Sequence, residues 1–594
     1  MDRLDPASSG SRQASYRFGA FRLEADGTLL RGETPVPLDA GELAALRLLL
    51  AHRGQTVSPL QLKQALASDE PAAAENVAQC LASLRKRLEP EDCIEAVPKR
   101  GFRFSAEIEF PAAETISGTP RLAILPFTSG YGVPAYLGSA IAEDACIRLA
   151  GGQPPPALIL ARESVFSLAQ RGLAPGEVGE RMKADLVLSG ELRAMASRYR
   201  LRVEMMHVKT GSQLWAEDLL AGRTQIMELV QDLVNRTMRR LSGLGFSTAG
   251  VSIAAAAAVP GPEPAPQQRE AYELLARGRY EWQTLERHRM QDAVQHLERA
   301  IELDPDLMEA RVNLVNLCLA QSACGFRPAL AAAEMVHGII GPADELSLRG
   351  EALLPALGWT LFHVDRDLPA ALRAFARSAH LPHDPWITRA RTMFALSRRR
   401  FGQAIEMQRA AIRVDPYSAW LQARLAWAYH LAGESSLSVQ AAHAALERFP
   451  EQEGPELYGA MILAFHGEAA RAVELAQALV QRVPYYDPAT AVHAYTLAVA
   501  GRAEEARTIL ERLQWLCRER YAMNTFAPPA YVALGELDTA LAELRAADSL
   551  RCPWFFQMLA DPRLLPLRDR PEFASLLGIL TAMEAEAKAS PPEL

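Results

Sequence analysis

The sequence predicts a multidomain α+β protein that ends in an all-α solenoid. Three observations indicate this class. An amphipathic helix and a basic hairpin follow one another within residues 76–104, strands alternate with helices between residues 121 and 222, and glycines recur every 34 residues near the C-terminus. Each observation is typical of a different kind of folded unit, so we expect three domains in series.

Composition supports a multidomain chain and indicates which partners, metal sites and compartment are expected. The 594 residues are 49% hydrophobic, which is enough for several cores, and the net charge of −8 is mixed in sign. Any attraction to nucleic acid must therefore come from local clusters. The seven cysteines are scattered without a CxxC spacing, which favours a reducing compartment and no zinc site. We expect a cytoplasmic protein, because residues 1–15 are polar and the run VSIAAAAAV is too short to span a bilayer.

Short strands open the first domain, which we expect over residues 16–110. Residues 16–23 are predicted to form one strand in which Gly19 shifts the alternation of apolar side chains. Two further short strands are expected at residues 29–31 and 36–38. Residues 1–15, which precede them, are expected to be disordered.

Two helix starts follow, each with a capping box. Asp39 precedes Glu42 by three residues, and Leu43 begins an apolar series at helical spacing. Ser58 is followed by Pro59 and Gln61, which is a second strong start signal. A third helix and a hairpin follow these two helices in the sequence.

The third helix is predicted from residue 76 to residue 88. Its apolar stripe has helical period and consists of Val77, Leu81, Leu84 and Leu88. The opposite face carries small or polar side chains that allow the backbone to approach a DNA major groove: Gln79, Ala82, Ser83 and Lys86. Arg85 and Arg87 lie on the two flanks, where the groove walls present phosphates. Taken alone, such a helix is more often a solvated face.

A basic hairpin follows, with Lys99 and Arg100 at its tip and Arg103 in its second strand. The run LRKRL and then AVPKRGFRF resembles the recognition helix and wing of OmpR/PhoB-type winged-helix domains, over about residues 16–108. The resemblance implies binding to double-stranded DNA. The residues it assigns to DNA are Asn76, Gln79, Ala82, Ser83, Arg85, Lys86, Arg87, Lys99, Arg100 and Arg103.

The domain departs from the family pattern in three respects. Ala67 stands where the family often carries tryptophan, residues 68–75 are acidic and alanine-rich, and residues 16–110 hold 12 basic against 14 acidic side chains. The domain is also N-terminal here, which is similar to the placement in ToxR/CadC-like regulators and implies no phosphorelay. A scaffold whose winged helix no longer binds DNA is therefore the alternative function.

Residues 111–120 are expected to be a linker to a small α/β domain at 121–222. RLAILPF, ALILA and DLVLSGEL are predicted buried strands separated by helices, and two hairpin strands follow. LAILPF, ADLVLSGEL and TGSQLWAE resemble the TolB N-terminal-like domain. A helix within 223–249 is expected to connect this domain to an Ala/Pro-rich linker at 250–267.

The repeat occupies residues 268–580 together with a C-terminal cap. Three residue types share the 34-residue spacing: Gly433, Gly467, Gly501 and Gly535; Ala472, Ala506 and Ala540; Pro416, Pro450 and Pro484. A helix, a glycine turn, a second helix and a closing proline are the tetratricopeptide pattern, and we expect seven or eight repeats. Such an array offers a binding surface without naming its ligand.

Catalytic, cofactor and metal sites are not predicted. His380 and His383 have an HxxH spacing but lie in a proline-rich loop without further ligands, so a surface pair is the better interpretation. An enzyme of the TolB-like cyclase-associated group would need a catalytic domain that this sequence does not show. The sequence therefore predicts a transcriptional regulator whose repeats bind a protein or a signal. RNA polymerase, another regulatory protein and a second copy of the chain stay open as partners.

Overall fold

The computed structural model describes residues 16–23, 27–32, 34–51, 56–59, 61–63, 66, 77–89, 93–97, 101–105, 108–109, 119–150, 157–244, 265–282, 286–341, 348–381, 385–519, 521 and 523–589. Strands β1–β14 and helices α1–α24 are numbered along this part of the chain. The predicted class, a multidomain α+β protein with a C-terminal helical repeat, is confirmed.

Two antiparallel sheets and a set of helices build the N-terminal domain. The first sheet has the order β4-β3-β2-β1-β8 and the second the order β5-β7-β6. Their strands are β1 (Tyr16–Phe18), β2 (Phe21–Leu23), β3 (Leu29–Arg31), β4 (Thr34–Val36), β5 (Thr56–Val57), β6 (Ile94–Val97), β7 (Gly101–Phe104) and β8 (Ile108–Glu109). The helices are α1 (Ala40–Ala51) and α2 (Val77–Arg87), and the described residues 59, 61–63 and 66 are helical as well.

The single strand expected at residues 16–23 is wrong. It is a hairpin of β1 and β2, in which Phe18 pairs with Phe21. Gly19 has a φ of +50°, so the chain turns there instead of only shifting its alternation. The turn stacks both phenylalanines in the core, where Phe18 also meets the ring of Phe104 edge-on at 5.1 Å.

Both predicted capping boxes are confirmed. Glu42 N–H donates to Asp39 Oδ1 at 2.6 Å, and Asp39 N–H donates to Glu42 Oε2 at 3.0 Å. At the next start, Ser58 N–H donates to Gln61 Oε1 at 2.9 Å and Gln61 N–H donates to Ser58 Oγ at 3.3 Å. These bonds satisfy amide groups that have no partner in the first turn of a helix.

The middle domain is a six-stranded mixed sheet with helices packed on it. Its main order is β11-β9-β12-β13-β14, and β10 pairs with β12. The strands are β9 (Arg121–Ile124), β10 (Thr128–Ser129), β11 (Leu158–Ile159), β12 (Leu186–Met195), β13 (Arg198–His207) and β14 (Gln213–Gly222), and the helices are α3 (Ala135–Ala150), α4 (Arg162–Gln170), α5 (Pro175–Met182) and α6 (Ile226–Gly243). Strands β9, β11 and β12 are parallel, and β12, β13 and β14 form an antiparallel meander.

Two helices of this domain differ from the expectation. The one helix predicted before β12 is two helices, α4 and α5, and Gly172 between them has a φ of +75°. Helix α6 does more than connect, because Leu229, Val230 and Leu233 are buried in the core of the middle domain. The resemblance to the TolB N-terminal-like domain stays a prediction.

The repeat region consists of eight helix pairs within its described part. The first helices are α7 (Pro266–Glu281), α9 (Met308–Ala323), α11 (Leu354–Thr360), α13 (Pro385–Ser397), α15 (Ala419–Ala432), α17 (Glu453–Phe465), α19 (Asp487–Val499) and α21 (Pro528–Ala533). The second helices are α8 (Arg287–Leu303), α10 (Ala329–Ile340), α12 (Leu368–Arg377), α14 (Phe401–Val414), α16 (Ser435–Arg448), α18 (Ala469–Arg482), α20 (Ala503–Glu519) and α22 (Leu537–Ser549). A 3₁₀ turn (Leu348–Leu353) precedes α11 and a π-helical turn (Leu361–Asp365) follows it.

The 34-residue phase is structural. The four glycines of that phase lie between the two helices of a pair with φ of +77° to +95°, and the three phased alanines are fully buried between helices. Arg399 lies one period before Gly433 and adopts the same left-handed backbone, with a φ of +58°. An arginine therefore occupies the glycine position of this repeat, which is why the series of phased glycines begins only at Gly433.

The C-terminal residues cross the array on the side of its first helices. We call residues 554–567 the inner segment; it comprises α23 (Phe555–Ala560) and a 3₁₀ turn (Pro562–Leu567), and α24 (Pro571–Ala589) follows it. Trp554 Nε1–H donates to the carbonyl of Ala323 in α9 at 2.8 Å, and Trp427 Nε1–H in α15 donates to Gln557 Oε1 at 3.1 Å. The inner segment therefore joins first helices that lie far apart in the sequence.

The middle domain is bonded to the array at a buried contact. Ser164 N–H donates to Asp415 Oδ1 at 3.0 Å, Ser164 Oγ–H donates to the same oxygen, and Tyr417 N–H donates to Ser164 Oγ at 2.7 Å. Burial, and then the charge of Glu163, raise the pKa of Asp415 to about 7. A second contact joins Asp144 of α3 to Tyr272 of α7.

Among the described residues, no helix combines the length and the apolar character needed to cross a membrane.

Candidate nucleic-acid interface

Helix α2 presents the two faces that its sequence predicts. Leu81, Leu84 and Leu88 are buried in the core of the N-terminal domain. The face that the sequence assigns to the groove is exposed at Gln79, Ala82, Ser83 and Lys86. The orientation of α2 therefore leaves a row of small and polar side chains open to a DNA major groove.

A single buried carboxylate ties α2 to α1. The side chain of Glu42 in α1 is 0% exposed and accepts from Ser83 Oγ–H at 2.5 Å. Arg87 Nε–H donates to the same Oε1 atom at 2.8 Å and lies 2.7 Å from Oε2. Glu42 thus holds one residue of the exposed face and one flanking arginine, in addition to capping its own helix.

Glu42 is ionised in this arrangement. Burial would raise the pKa of its carboxyl, but the hydrogen bonds from Ser83, Arg87 and Asp39 N–H, together with the charge of Arg87, outweigh burial and lower the pKa below its usual value. A carboxylate buried beside a guanidinium and a hydroxyl is a compensated charge, so the contact is compatible with a stable core.

Arg85, on the other flank, links α2 to the wing. Arg85 Nε–H donates to the carbonyl of Ile94 in β6 at 3.0 Å, and its guanidinium lies 5.7 Å from the ring centre of Phe102 in β7. This side chain fixes the angle between α2 and the wing.

The wing itself is the hairpin of β6 and β7. Arg103 lies opposite Glu95 in the pairing, and its Nη2 atom is 2.5 Å from Glu95 Oε2. Both side chains are partly exposed, so this ion pair is a weak surface contact. Asn76, Lys99 and Arg100 lie outside the described residues. The assignment of all ten residues to DNA stays a prediction.

The contacts of Glu42 were not found from the sequence. The capping box identified this residue only as a partner of Asp39, and its other partners lie 41 and 45 residues further along the chain. A buried acidic side chain at a helix start gives no local sign of these distant contacts.

Within the described residues, no group of three or more His, Cys, Asp or Glu side chains is placed to hold a metal ion. His380 lies 3.3 Å from Glu351 at the surface, and His383 is outside the described residues.

Comparison with known proteins agrees with this geometry. Residues 33–104 match the family described as "Transcriptional regulatory protein, C terminal". The N-terminal domain is an OmpR/PhoB-type winged helix. In this winged helix α2 corresponds in position to the predicted recognition helix, and β6 and β7 correspond to the predicted wing.

Two curated relatives share part of the chain. The transcriptional regulator HilA of Salmonella typhimurium (strain LT2) is 22% identical over 332 residues, which are 55% of this chain and 56% of HilA. "Putative adenylate cyclase 3" of Rhizobium meliloti (strain 1021) is 29% identical over 231 residues, which are 37% of this chain and 36% of that protein. The chain thus spans about half or less of the length of these relatives.

A solved structure matches part of the chain. The structure described as APC/C hetero-tetramer Cut9-Hcn1 is 13% identical, covers 60% of this chain and 66% of its own chain, and has a TM-score of 0.36.

Proposed function

We propose that this protein is a sequence-specific transcriptional regulator, whose winged helix binds promoter DNA and whose repeat array binds a protein or a signal. The observation that carries the proposal is the exposed face of the recognition helix beside the wing, in a domain that matches a family of transcriptional regulators. The partial match to HilA supports it. A cytoplasmic location follows from the role, since promoter DNA lies there.

The protein acts by binding and not by catalysis in this proposal. The relative described as a cyclase matches 37% of the chain, whereas HilA matches 55%. The similarity to the regulator therefore extends over a larger share of the chain than the similarity to the cyclase does.

The inner segment limits where a partner of the array binds. It covers first helices from α9 to α19, including Trp427 of α15 and Tyr495 of α19. A partner such as RNA polymerase, another regulator or a second copy would therefore contact the second helices or displace the inner segment.

A gel-shift experiment with the full chain tests the proposal. We expect the chain to retard a subset of genomic fragments in the presence of excess non-specific DNA, because specific sites bind 10³–10⁷ times more tightly than other DNA. A chain that begins at residue 119 serves as the control and should retard none. Retardation of no fragment would favour the scaffold alternative, and equal retardation of all fragments would contradict sequence-specific binding.

A further inference from the structure

Ser83 is an exposed residue whose hydroxyl already donates a hydrogen bond inside the domain. The residue lies on the groove-facing side of the recognition helix, one turn after Gln79, and its Oγ–H donates to the buried Glu42 carboxylate. The residue is exposed, so the remaining lone pairs of Oγ are the part of this hydroxyl that a ligand can use.

The direction of the hydrogen bond is fixed by Glu42. An ionised carboxylate can only accept hydrogen bonds, and a serine hydroxyl has a single proton to give. The lowered pKa of Glu42 keeps the carboxylate ionised, and its other bonds, from Arg87 and from Asp39 N–H, also place donors on its oxygens. Ser83 is therefore the donor in this contact and has no second proton.

We propose that Ser83 recognises DNA bases only as a hydrogen-bond acceptor, and that Glu42 is the positioning residue that imposes this direction. In the major groove, adenine presents its N6 amino group and cytosine its N4 amino group, whereas guanine and thymine present acceptors at O6, N7 and O4. On the strand that it faces, Ser83 therefore selects adenine or cytosine at one position of the operator. This inference rests on the proposed function and adds the chemical class of base that the helix recognises.

The functional group of Gln79 differs from that of Ser83. An amide side chain both donates and accepts, so Gln79 is able to bond adenine at N6 and N7 together. The two positions of the face should therefore select different bases. Gln79 should prefer a base that presents a donor and an acceptor together, whereas Ser83 should prefer a base that presents an amino group.

The experiment selects DNA sites from a random library with the full chain and with its Ser83→Ala variant. Ser83 is exposed in a helix, where alanine has the higher helix propensity, so the variant should fold, and a melting curve checks this. We expect one position to be enriched by the natural chain in adenine or cytosine on one strand, and therefore in thymine or guanine on the complementary strand, and to lose that enrichment in Ser83→Ala. Ser83→Thr keeps the hydroxyl and should restore the preference.

A chemical substitution in the DNA makes the test independent of protein folding. Replacing the selected adenine by purine, or the selected cytosine by 2-pyrimidinone, removes only the amino group. This should weaken binding of the natural chain about fivefold and leave binding of Ser83→Ala unchanged.

Two results would overturn the inference while leaving the proposed function in place. One is a preference that disappears in Ser83→Ala although removal of the amino group from the selected base leaves binding of the natural chain unchanged, since Ser83 would then not be accepting from that amino group. The other is an unchanged set of preferences in Ser83→Ala, which would make the hydroxyl a structural group alone. If the natural chain enriches no sequence at all, the proposed function fails and the inference falls with it.

Discussion

Replacing Asp561 with alanine is expected to destabilise the repeat array by about 3–5 kcal/mol. The side chains of Asp561 and Arg563 are 0% and 1% exposed, and Arg563 Nη2 lies 2.6 Å from Asp561 Oδ2. His430 of α15 lies 3.2 Å from Oδ1 of the same carboxylate. Alanine would leave the Arg563 guanidinium buried without a counter-charge. A buried charge without a partner strongly lowers the free energy of unfolding.

The carboxylate also attaches the inner segment to the first helices. Burial raises the pKa of Asp561, but the charge of Arg563 and the hydrogen bond to His430 outweigh burial and leave the pKa well below its usual value. The stabilisation from Asp561 is therefore fully present above the pKa of an unfolded aspartate and is lost only as the pH falls through the lowered folded value.

Unfolding in urea, followed by tryptophan fluorescence, measures this effect, because the Arg563 guanidinium lies 5.5 Å from the ring centre of Trp427. Glu474→Ala is the matched control. Glu474 is 69% exposed and pairs with Arg471 at the surface at 3.0 Å, so its loss should cost less than about 1 kcal/mol. Equal stability of the two variants would contradict the view that the inner segment is anchored by this ion pair.

Replacing Gly101 with alanine is expected to disrupt the wing, at a cost on the order of 3 kcal/mol. Gly101 opens β7 with a φ of +132°, and a Cβ atom there would lie 2.0 Å from the carbonyl oxygen of Val57. The pairing of Val57 with Phe102 holds β5 against β7, so the added methyl group would push these strands apart.

Hydrogen exchange of the amides within residues 93–105, measured in the full chain, detects this change. Gly32→Ala is the control, since Gly32 also has a positive φ, of +60°, but no atom lies within 4 Å of the added Cβ. We expect fast exchange in the first variant and slow exchange in the control. The same exchange rate in both would mean that the close approach at Val57 does not hold the wing.

Local patterns predicted most of the fold. The capping boxes at Asp39 and Ser58, the apolar stripe of the recognition helix and the 34-residue phase each depend on residues a few positions apart, or on strict repetition. Gly19 was misjudged because a glycine inside an alternating run is compatible with either a shifted strand or a turn.

Contacts between distant residues could not be predicted in this way. Ser164 and Asp415 are 251 residues apart, and neither has a neighbour in the sequence that indicates the other. The contacts of the inner segment with the first helices also join residues that are far apart in the sequence, and so do the bonds of Glu42 to the recognition helix. The candidate interface was therefore predicted as a set of exposed side chains, while the structure adds that Ser83, Arg85 and Arg87 are positioned by contacts inside the domain.

In the proposed function, the recognition helix specifies sequence while the wing supplies affinity. The most direct test of this division of roles is the binding constant of the full chain for a selected site and its single-base variants, measured at several salt concentrations. Gln79→Ala should relax the preference at one base pair by about 1–3 kcal/mol and leave the salt dependence nearly unchanged. Lys99→Ala should weaken binding to all sequences alike and reduce the slope of log K against log salt by about 1. If both variants remain folded and bind every sequence as the natural chain does at each salt concentration, this division of roles between the recognition helix and the wing is contradicted.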